Sequence, residues 1–385
     1  MKKLEQTIKT LVLLLLVTMS TGMISCSSDD DKEPLVPEEY VTLDKESITL
    51  EVGEEDILIP TFSSEAVSQK SFIWTAVPTD IVSIFINQDN SIKVTALKKG
   101  NVEIKIEAED HSVSATCQVQ VVHNPQDVVR ILGIGNSFTD DAMQDYLSNL
   151  AAGGGKKLVV ARLTIGGAEL DDHLDRAKHD SPVYQYWKRD EAGNVVGAGG
   201  KTVKEILQSE EWDYVSFQQQ SWLSGQEKSY YSIPQLVKYA KDKSISSKTE
   251  YAILQTWSFA YDYGYSDYDY YKNNQLVMLD SLTNAAYKAS ELVTPNLLVI
   301  PAGTAIQNGR TSVVGDNFCR DGYHLDVNIG RFTVACTLYE TIFGDIEENP
   351  YKPAHISDIH AEIAKNAARL AVAKPKEVTK MVDYQ

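Results

Sequence analysis

The chain has 385 residues, 43% of them hydrophobic, and a formal net charge of −18. That apolar fraction is enough to build packed cores and excludes a disordered chain. The acidic balance excludes a nucleic-acid partner, because a phosphate binder needs a basic face.

Residues 1–25 read as a targeting segment rather than as fold. Lys2 and Lys3 precede an apolar run from Leu11 to Val17, and Met23-Ile24-Ser25 stand immediately before Cys26. The stretch resembles a bacterial lipoprotein signal, which implies cleavage before Cys26 and a lipid anchor on its thiol. The alternative is an ordinary secretory signal. Residues 26–39 are polar and turn-rich and read as a flexible tether. The acidic run Asp29-Asp30-Asp31 resembles the export signal of surface lipoproteins in some Gram-negative glycan degraders. That resemblance implies an outer-membrane, surface-exposed location. No second stretch is long enough to span a bilayer. Cys117, Cys319 and Cys336 have no metal-type spacing and read as free or half-buried thiols, with a Cys319–Cys336 bridge left open.

Residues 40–123 alternate in the strand period, as in Ser47 to Val52, Ser91 to Leu97 and Val102 to Ile106. Gly53, Gly100 and Asp89-Asn90 supply turns. Short strands at regular spacing, with no helical stretch, predict an all-β sandwich. The pattern from Trp74 through Val94 to Ile104 resembles the group 2 bacterial Ig-like domains, usually spacers or adhesive units. Trp74 reads as a core residue rather than a sugar platform.

His123 to Asp127 reads as a linker, and residues 127–375 as a second domain. Apolar strand-like runs at Val128–Gly135, Leu158–Gly166, Tyr214–Gln218, Tyr251–Trp257 and Leu297–Ala302 alternate with helical stretches near 140–152, 168–177, 232–243 and 273–293. A last helix is predicted over about 329–343. Five such strands predict an α/β parallel sheet covered on both faces, hence three layers. Ligands bind such sheets at the carboxyl ends of the strands. There the sequence places Ser137, then Gly166-Gly167, then Gln218-Gln219-Gln220. Asp321 and His324 lie before the final helix. A serine nucleophile needs an imidazole base, a carboxylate to orient it, and donors for the developing oxyanion.

This ordered set resembles the SGNH (GDSL-like) hydrolases over roughly residues 128 to 345, which implies a flavodoxin-like parallel sheet. Ser137 matches the nucleophile of the first block, Gly167 the glycine of the second, and Asp321 and His324 the final Asp-x-x-His. The resemblance implies that Ser137, His324 and Asp321 are catalytic. Ser137 N–H, Gly167 N–H and the Gln220 amide would then form the oxyanion hole. The chain departs from the pattern at Asn136, where Asp is usual, and at Gln220, where Asn is usual; Gln218 is the second candidate for that position. A poorly characterised SGNH-like branch shares the Gly-Asn-Ser-Phe block and a glutamine-rich third block.

Each element also has a bland reading. A Gly-x-Ser after a strand and an isolated Asp-x-x-His are both common. Two glycines make a tight turn, and glutamines suit a solvated loop. His173, beside Asp171 and Asp172, reads as packing rather than as a metal ligand, and no metal or organic cofactor is required. Trp222 and Trp257 are candidate substrate-binding residues. The tyrosines from Tyr261 to Tyr271 read equally as a sugar-stacking rim or as a self-packed loop. Tyr184 to Trp187 and Gly197 to Gly200 flank an insertion that would form another wall. Together these features predict a tethered esterase that deacetylates an acylated carbohydrate. The competing reading is a non-catalytic glycan-binding or adhesive surface lipoprotein. A lipase or thioesterase fits less well, because no long apolar lid segment is visible.

Overall fold

Alternating apolar and polar side chains pleat the first part of the chain into strands. The structure, a computed structural model, describes residues 39–122 and 127–385. The predicted signal segment 1–25, the predicted lipidation site Cys26, the predicted tether up to residue 38 and residues 123–126 of the predicted linker lie outside the described residues. The first strands are β1 (Val41–Leu43), β2 (Ser47–Glu51), β3 (Glu55–Leu58), β4 (Pro60–Phe62), β5 (Phe72–Val77), β6 (Val82–Ile86), β7 (Ile92–Ala96), β8 (Gly100–Ala108) and β9 (Ser114–Val122). They form a four-stranded sheet in the order β2-β9-β8-β5, a three-stranded sheet β3-β7-β6, and the pair β1-β4. One apolar cluster joins them, drawn from residues between Val41 and Val121. Trp74 belongs to it, with its indole N–H on the carbonyl of Asn90 at 3.2 Å. A short helix, α1 (Glu65–Ser68), interrupts the strands where no helix was predicted. Ser64 caps it by accepting the Val67 N–H at 3.2 Å, a local bond that competes with strand pairing.

Beyond the linker the period changes and strands alternate with helices. The strands are β10 (Val128–Gly135), β11 (Lys157–Thr164), β12 (Tyr184–Arg189), β13 (Val195–Lys201), β14 (Tyr214–Phe217), β15 (Glu250–Leu254) and β16 (Leu298–Ile300). The helices are α2 (Ser137–Met143), α3 (Leu147–Gly153), α4 (Leu170–Lys178), α5 (Val203–Leu207), α6 (Ile233–Lys243), α7 (Gln275–Ser290), α8 (Ala302–Arg310), α9 (Ile329–Phe343) and α10 (Asp358–Ala373). All seven strands form one sheet, ordered β13-β12-β11-β10-β14-β15-β16. Within it β11-β10-β14-β15-β16 are parallel. Their order is second, first, third, fourth, fifth, that of a doubly wound sheet whose strand order reverses beside its first strand.

The sheet is mixed rather than purely parallel. The predicted insertion is an antiparallel hairpin, β12–β13, added to the edge beyond β11. Its turn is held by Asp190, which accepts the Asn194 N–H at 2.7 Å. The sequence did not mark β13 as a strand because Val195 to Lys201 is glycine-rich and has no buried face. Helices cover both faces. Val129 and Ile131 pack into a cluster with residues of α2, α3, α8, α9 and α10, whereas Leu132 and Ile134 pack with residues of α4 to α7. The predicted helix 140–152 is two helices, broken where Tyr146 takes φ 56°. Helices α5, α8 and α10 go beyond the prediction. Packed chain also continues past residue 375, with Met381 buried and its N–H on Thr311. Cys117, Cys319 and Cys336 are free thiols.

Candidate active site

Strand β10 runs straight into α2, so Ser137 becomes the first residue of a helix at the carboxyl end of the sheet. Asn136 makes that turn. Its side-chain carbonyl caps α2 by accepting the Phe138 N–H at 3.0 Å, and its amide donates to the carbonyl of Ala168 at 2.9 Å. An aspartate would supply the cap but not the second bond, because an ionised carboxylate only accepts. The backbone N–H of Asn136 is taken by Gln218 Oε1 at 3.0 Å, which also accepts from Thr139 Oγ1 at 3.0 Å. Asn136 and Gln218 are thus one buried lock at the carboxyl ends of β10 and β14.

His324 arrives from the other end of the chain. Its Nε2 lies 2.9 Å from Ser137 Oγ across 187 residues, and its Nδ1 lies 2.7 Å from Asp321 Oδ2. The other Asp321 oxygen accepts the backbone N–H groups of Tyr323 and His324, at 3.2 and 2.8 Å. Gly322 between them sits at φ +92°, a left-handed conformation that lets the loop double back. Burial pushes the Asp321 carboxyl upward, but the hydrogen bonds from His324 and the two amides outweigh it and hold it below the usual range. The structure therefore brings Ser137, His324 and Asp321 into one hydrogen-bonded relay.

What holds the two halves together is a buried carboxylate the sequence reading passed over. Asp141, one turn beyond Ser137 on α2, is 2% exposed. It accepts the Leu325 N–H at 2.8 Å, Arg320 Nη1 at 3.0 and 3.1 Å, and Arg331 Nη2 at 2.5 Å. Arg320 and Leu325 flank the Asp321–His324 segment, so this cluster sets the distance between serine and imidazole. The adjacent acids Asp140 and Asp141 carry a sequence signal only for a helix N-terminus. Nothing local ties them to arginines so far along the chain.

The candidate oxyanion donors have mixed surroundings. Gly167 takes φ +71°, and a Cβ there would meet nothing within 4 Å, so the left-handed backbone is the reason for glycine. Neither its N–H nor that of Ser137 has a hydrogen-bond acceptor among the described residues. The three glutamines differ sharply. Gln218 is spent on Asn136 and Thr139, and its amide donates to the carbonyl of Gln219. Gln219 accepts the Leu170 N–H at 3.0 Å and donates to the carbonyl of Ser229 at 2.6 Å. Gln220 anchors only its carbonyl oxygen, on the Trp222 N–H at 3.0 Å. Of the three, its NH₂ is the one left unengaged among the described residues.

The two tryptophans part company. Trp222 is 39% exposed, beside Gln220. Trp257 is 0% exposed and cannot touch a substrate. It stacks under Phe138 with centroids 4.5 Å apart and donates to the carbonyl of Tyr323 at 2.7 Å, forming the floor beneath the relay. The assignment of Trp257 to substrate binding is corrected on that ground. The tyrosine loop also divides. Tyr268 and Tyr271 are buried, whereas Tyr261 and Tyr265 are exposed. Tyr265, Tyr263, Tyr323 and His324 form a continuous aromatic run, with centroid spacings of 5.0, 5.6 and 4.0 Å. His173 is fully buried against Tyr184, its Nδ1 2.8 Å from the phenol oxygen.

Residues 130–371 match the family described as Domain of unknown function (DUF4886). The chain is similar to a DUF4886 family protein from Bacteroides uniformis ATCC 8492, known from a crystal structure. They share 38% identity and a TM-score of 0.66, over 67% of this chain and 100% of that one. An uncharacterised protein of Clostridium acetobutylicum is 38% identical over 82 residues, which is 21% of this chain and 20% of the relative. The chain thus spans about a fifth of the length of that curated relative. A catalytic mutant of an acetylxylan esterase from Geobacillus stearothermophilus shares 13% identity and a TM-score of 0.37, over 56% of this chain and 94% of that one. That likeness is too slight to bear on the chemistry.

Proposed function

We propose that this chain, which belongs to the DUF4886 family, is a serine esterase that removes a short acyl group from a carbohydrate. The observation that carries the reading is the relay Asp321–His324–Ser137, at 2.7 and 2.9 Å. His324 Nε2 takes the proton of Ser137 Oγ as the oxygen attacks the ester carbonyl. It then returns that proton to the leaving alcohol. Asp321 receives the Nδ1–H, which fixes the tautomer and stabilises the imidazolium. The tetrahedral oxygen is met by the Ser137 N–H, the Gly167 N–H and the Gln220 NH₂. Water then repeats the sequence on the acyl-enzyme and releases the acid.

The choice of a sugar ester rests on three exposed aromatic residues: Tyr265, which leads through Tyr263 and Tyr323 to His324, Tyr261 of the same loop, and Trp222, whose N–H meets Gln220; aromatic faces suit the C–H faces of sugar rings. The N-terminal β unit would serve as an Ig-like spacer. A lipid on Cys26 would hold the protein at the outer membrane, with the site facing outward. The test is release of acetate from p-nitrophenyl acetate and from acetylated oligosaccharides, by wild type and Ser137→Ala. Hydrolysis that persists in Ser137→Ala removes Ser137 as nucleophile. Glycan binding without hydrolysis of any ester makes the protein a binding module instead.

A further inference from the structure

The hairpin β12–β13 does more than extend the sheet. Between it and the turn at Gly166 lies a cavity of about 510 Å³, lined by Asp140, Arg162, Thr164, Gln185, Trp187 and the run 197–199. Its position follows from the topology. Asp140 is three residues beyond Ser137 on α2, Gly166 precedes Gly167, and Thr164 is paired with Gly135 at the end of β10. The cavity therefore opens beside the relay, on the side away from Trp222 and Gln220.

Its lining offers hydrogen bonding of both polarities, with one carboxylate and one guanidinium paired to each other. Arg162 Nη1 is bonded to the Asp140 carboxylate, and Thr164 Oγ1 lies 3.2 Å from the same oxygen. The Arg162 guanidinium stands 4.9 Å over the Trp187 ring, and Arg189 stands 5.6 Å from it. Those cations occupy the indole, so it is not a free stacking platform. Arg162 Nε is buried without a partner. The Gln185 side chain is exposed and makes no hydrogen bond among the described residues. The far wall is Gly197-Ala198-Gly199, where little side chain stands between the cavity and the backbone of an edge strand.

We infer that this cavity is a subsite for a neutral, hydroxyl-rich glycosyl unit on the alcohol side of the ester. The inference rests on the esterase reading of Ser137. An acyl chain placed here would desolvate the Arg162–Asp140 pair, Thr164 and Gln185 without replacing their hydrogen bonds to water. Vicinal hydroxyls both donate and accept, so they satisfy a carboxylate, a guanidinium N–H and an amide together. An anionic sugar gains little, because Asp140 already neutralises Arg162. Size agrees, since small-molecule sites commonly enclose about 300–1,000 Å³.

Two variants probe the cavity: Ala198→Trp, which fills it from the glycine wall, and Gln185→Ala, an exposed side-chain truncation that tests it if the first does not fold. The readout is kcat/KM on partially acetylated xylo-oligosaccharides divided by kcat/KM on p-nitrophenyl acetate. The expected result is a fall in that ratio of about 10-fold or more for Ala198→Trp and several-fold for Gln185→Ala. Wild type is also expected to prefer the neutral substrate over partially acetylated oligogalacturonides. Unchanged ratios in both variants, or preference for the acidic glycan, overturn the subsite. A second arm does not depend on hydrolysis: calorimetric titration of unesterified xylo-oligosaccharide into Ser137→Ala protein, with and without Ala198→Trp. If no ester is cleaved, the esterase reading fails. Binding that Ala198→Trp weakens still supports the subsite in that case. Binding that is absent, or indifferent to Ala198→Trp, overturns it.

Discussion

The buried carboxylate of Asp141 accepts the backbone N–H of Leu325 at 2.8 Å, so the residue that follows His324 is tied to the helix that begins with Ser137. Arg320 and Arg331 close on the same carboxylate from the flanks. The relay geometry is thus set by a charge cluster that itself touches neither the serine nor the imidazole.

Replacing Asp141 by Asn tests that dependence. The amide oxygen still accepts the Leu325 N–H, but Arg331, whose side chain is 12% exposed, keeps only Asp145 as counter-ion. Breaking one side of a buried ion pair costs about 3–5 kcal/mol. The expected outcome is a lower urea midpoint together with a fall in kcat larger than any rise in KM. A loss of stability with unchanged kcat would make Asp141 a structural residue alone.

The unengaged amide of Gln220 leads to a second expectation. Gln220→Ala lowers kcat by about 10²–10³-fold with KM little changed, as expected for a donor that acts mainly in the transition state. Gln220→Glu, which offers an acceptor in its place, does at least as much harm. Steady-state kinetics on p-nitrophenyl acetate would decide it.

Asn136→Asp introduces an acid at the turn before Ser137 and is expected to destabilise this chain. A carboxylate oxygen would face the carbonyl of Ala168, in a site 2% exposed, where the amide now donates at 2.9 Å. The loss is about 1–3 kcal/mol. Burial would raise the pKa of the new carboxyl, and the protonated acid can donate to Ala168. The folded variant then binds more protons than the unfolded one, so its deficit shrinks as pH falls. Melting curves at pH 7.5 and pH 5 would show the gap to wild type narrowing on acidification.

His173 sets an acid limit on stability. Burial drives its pKa down to about 4 from an ordinary value of 6.5. Between those values the unfolded chain binds a proton that the folded chain does not. Its contribution is therefore complete above pH 6.5 and is lost as pH falls toward 4, by at most about 1.4 kcal/mol per pH unit. His173→Gln, which keeps a polar partner for Tyr184, should flatten the dependence of the urea midpoint on pH between 7 and 4. An equally steep dependence in the variant would exclude His173 as its source.

Parts of this protein were legible because they depend on local periodicity. The apolar runs of β10, β11, β14, β15 and β16 announce strands buried on both faces, and the strand-end rule then locates Ser137 and Gly167. The Asp321–His324 spacing is equally local, since a left-handed Gly322 lets three residues fold back on themselves. The hairpin β12–β13 was legible as an insertion but not as strands, because the glycines at 197, 199 and 200 of β13 carry no apolar pattern. Trp257 was misassigned because position at a strand end says nothing about depth. Only the packing of Phe138 and Tyr323 over it put the indole under the site.

The sequence by itself determined which residue types would reach the rim of the sheet and in what order, because strand and helix periods are properties of neighbouring residues. The tertiary structure alone decided which of them meet. The contact between Ser137 and His324, the engagement of Gln218 by Asn136 and Thr139, and the pairing of Asp141 with Arg320 and Arg331 all join residues far apart in the chain. Such pairings are selected by burial and by the cost of leaving a polar group unsatisfied, and neither quantity exists until the chain has folded.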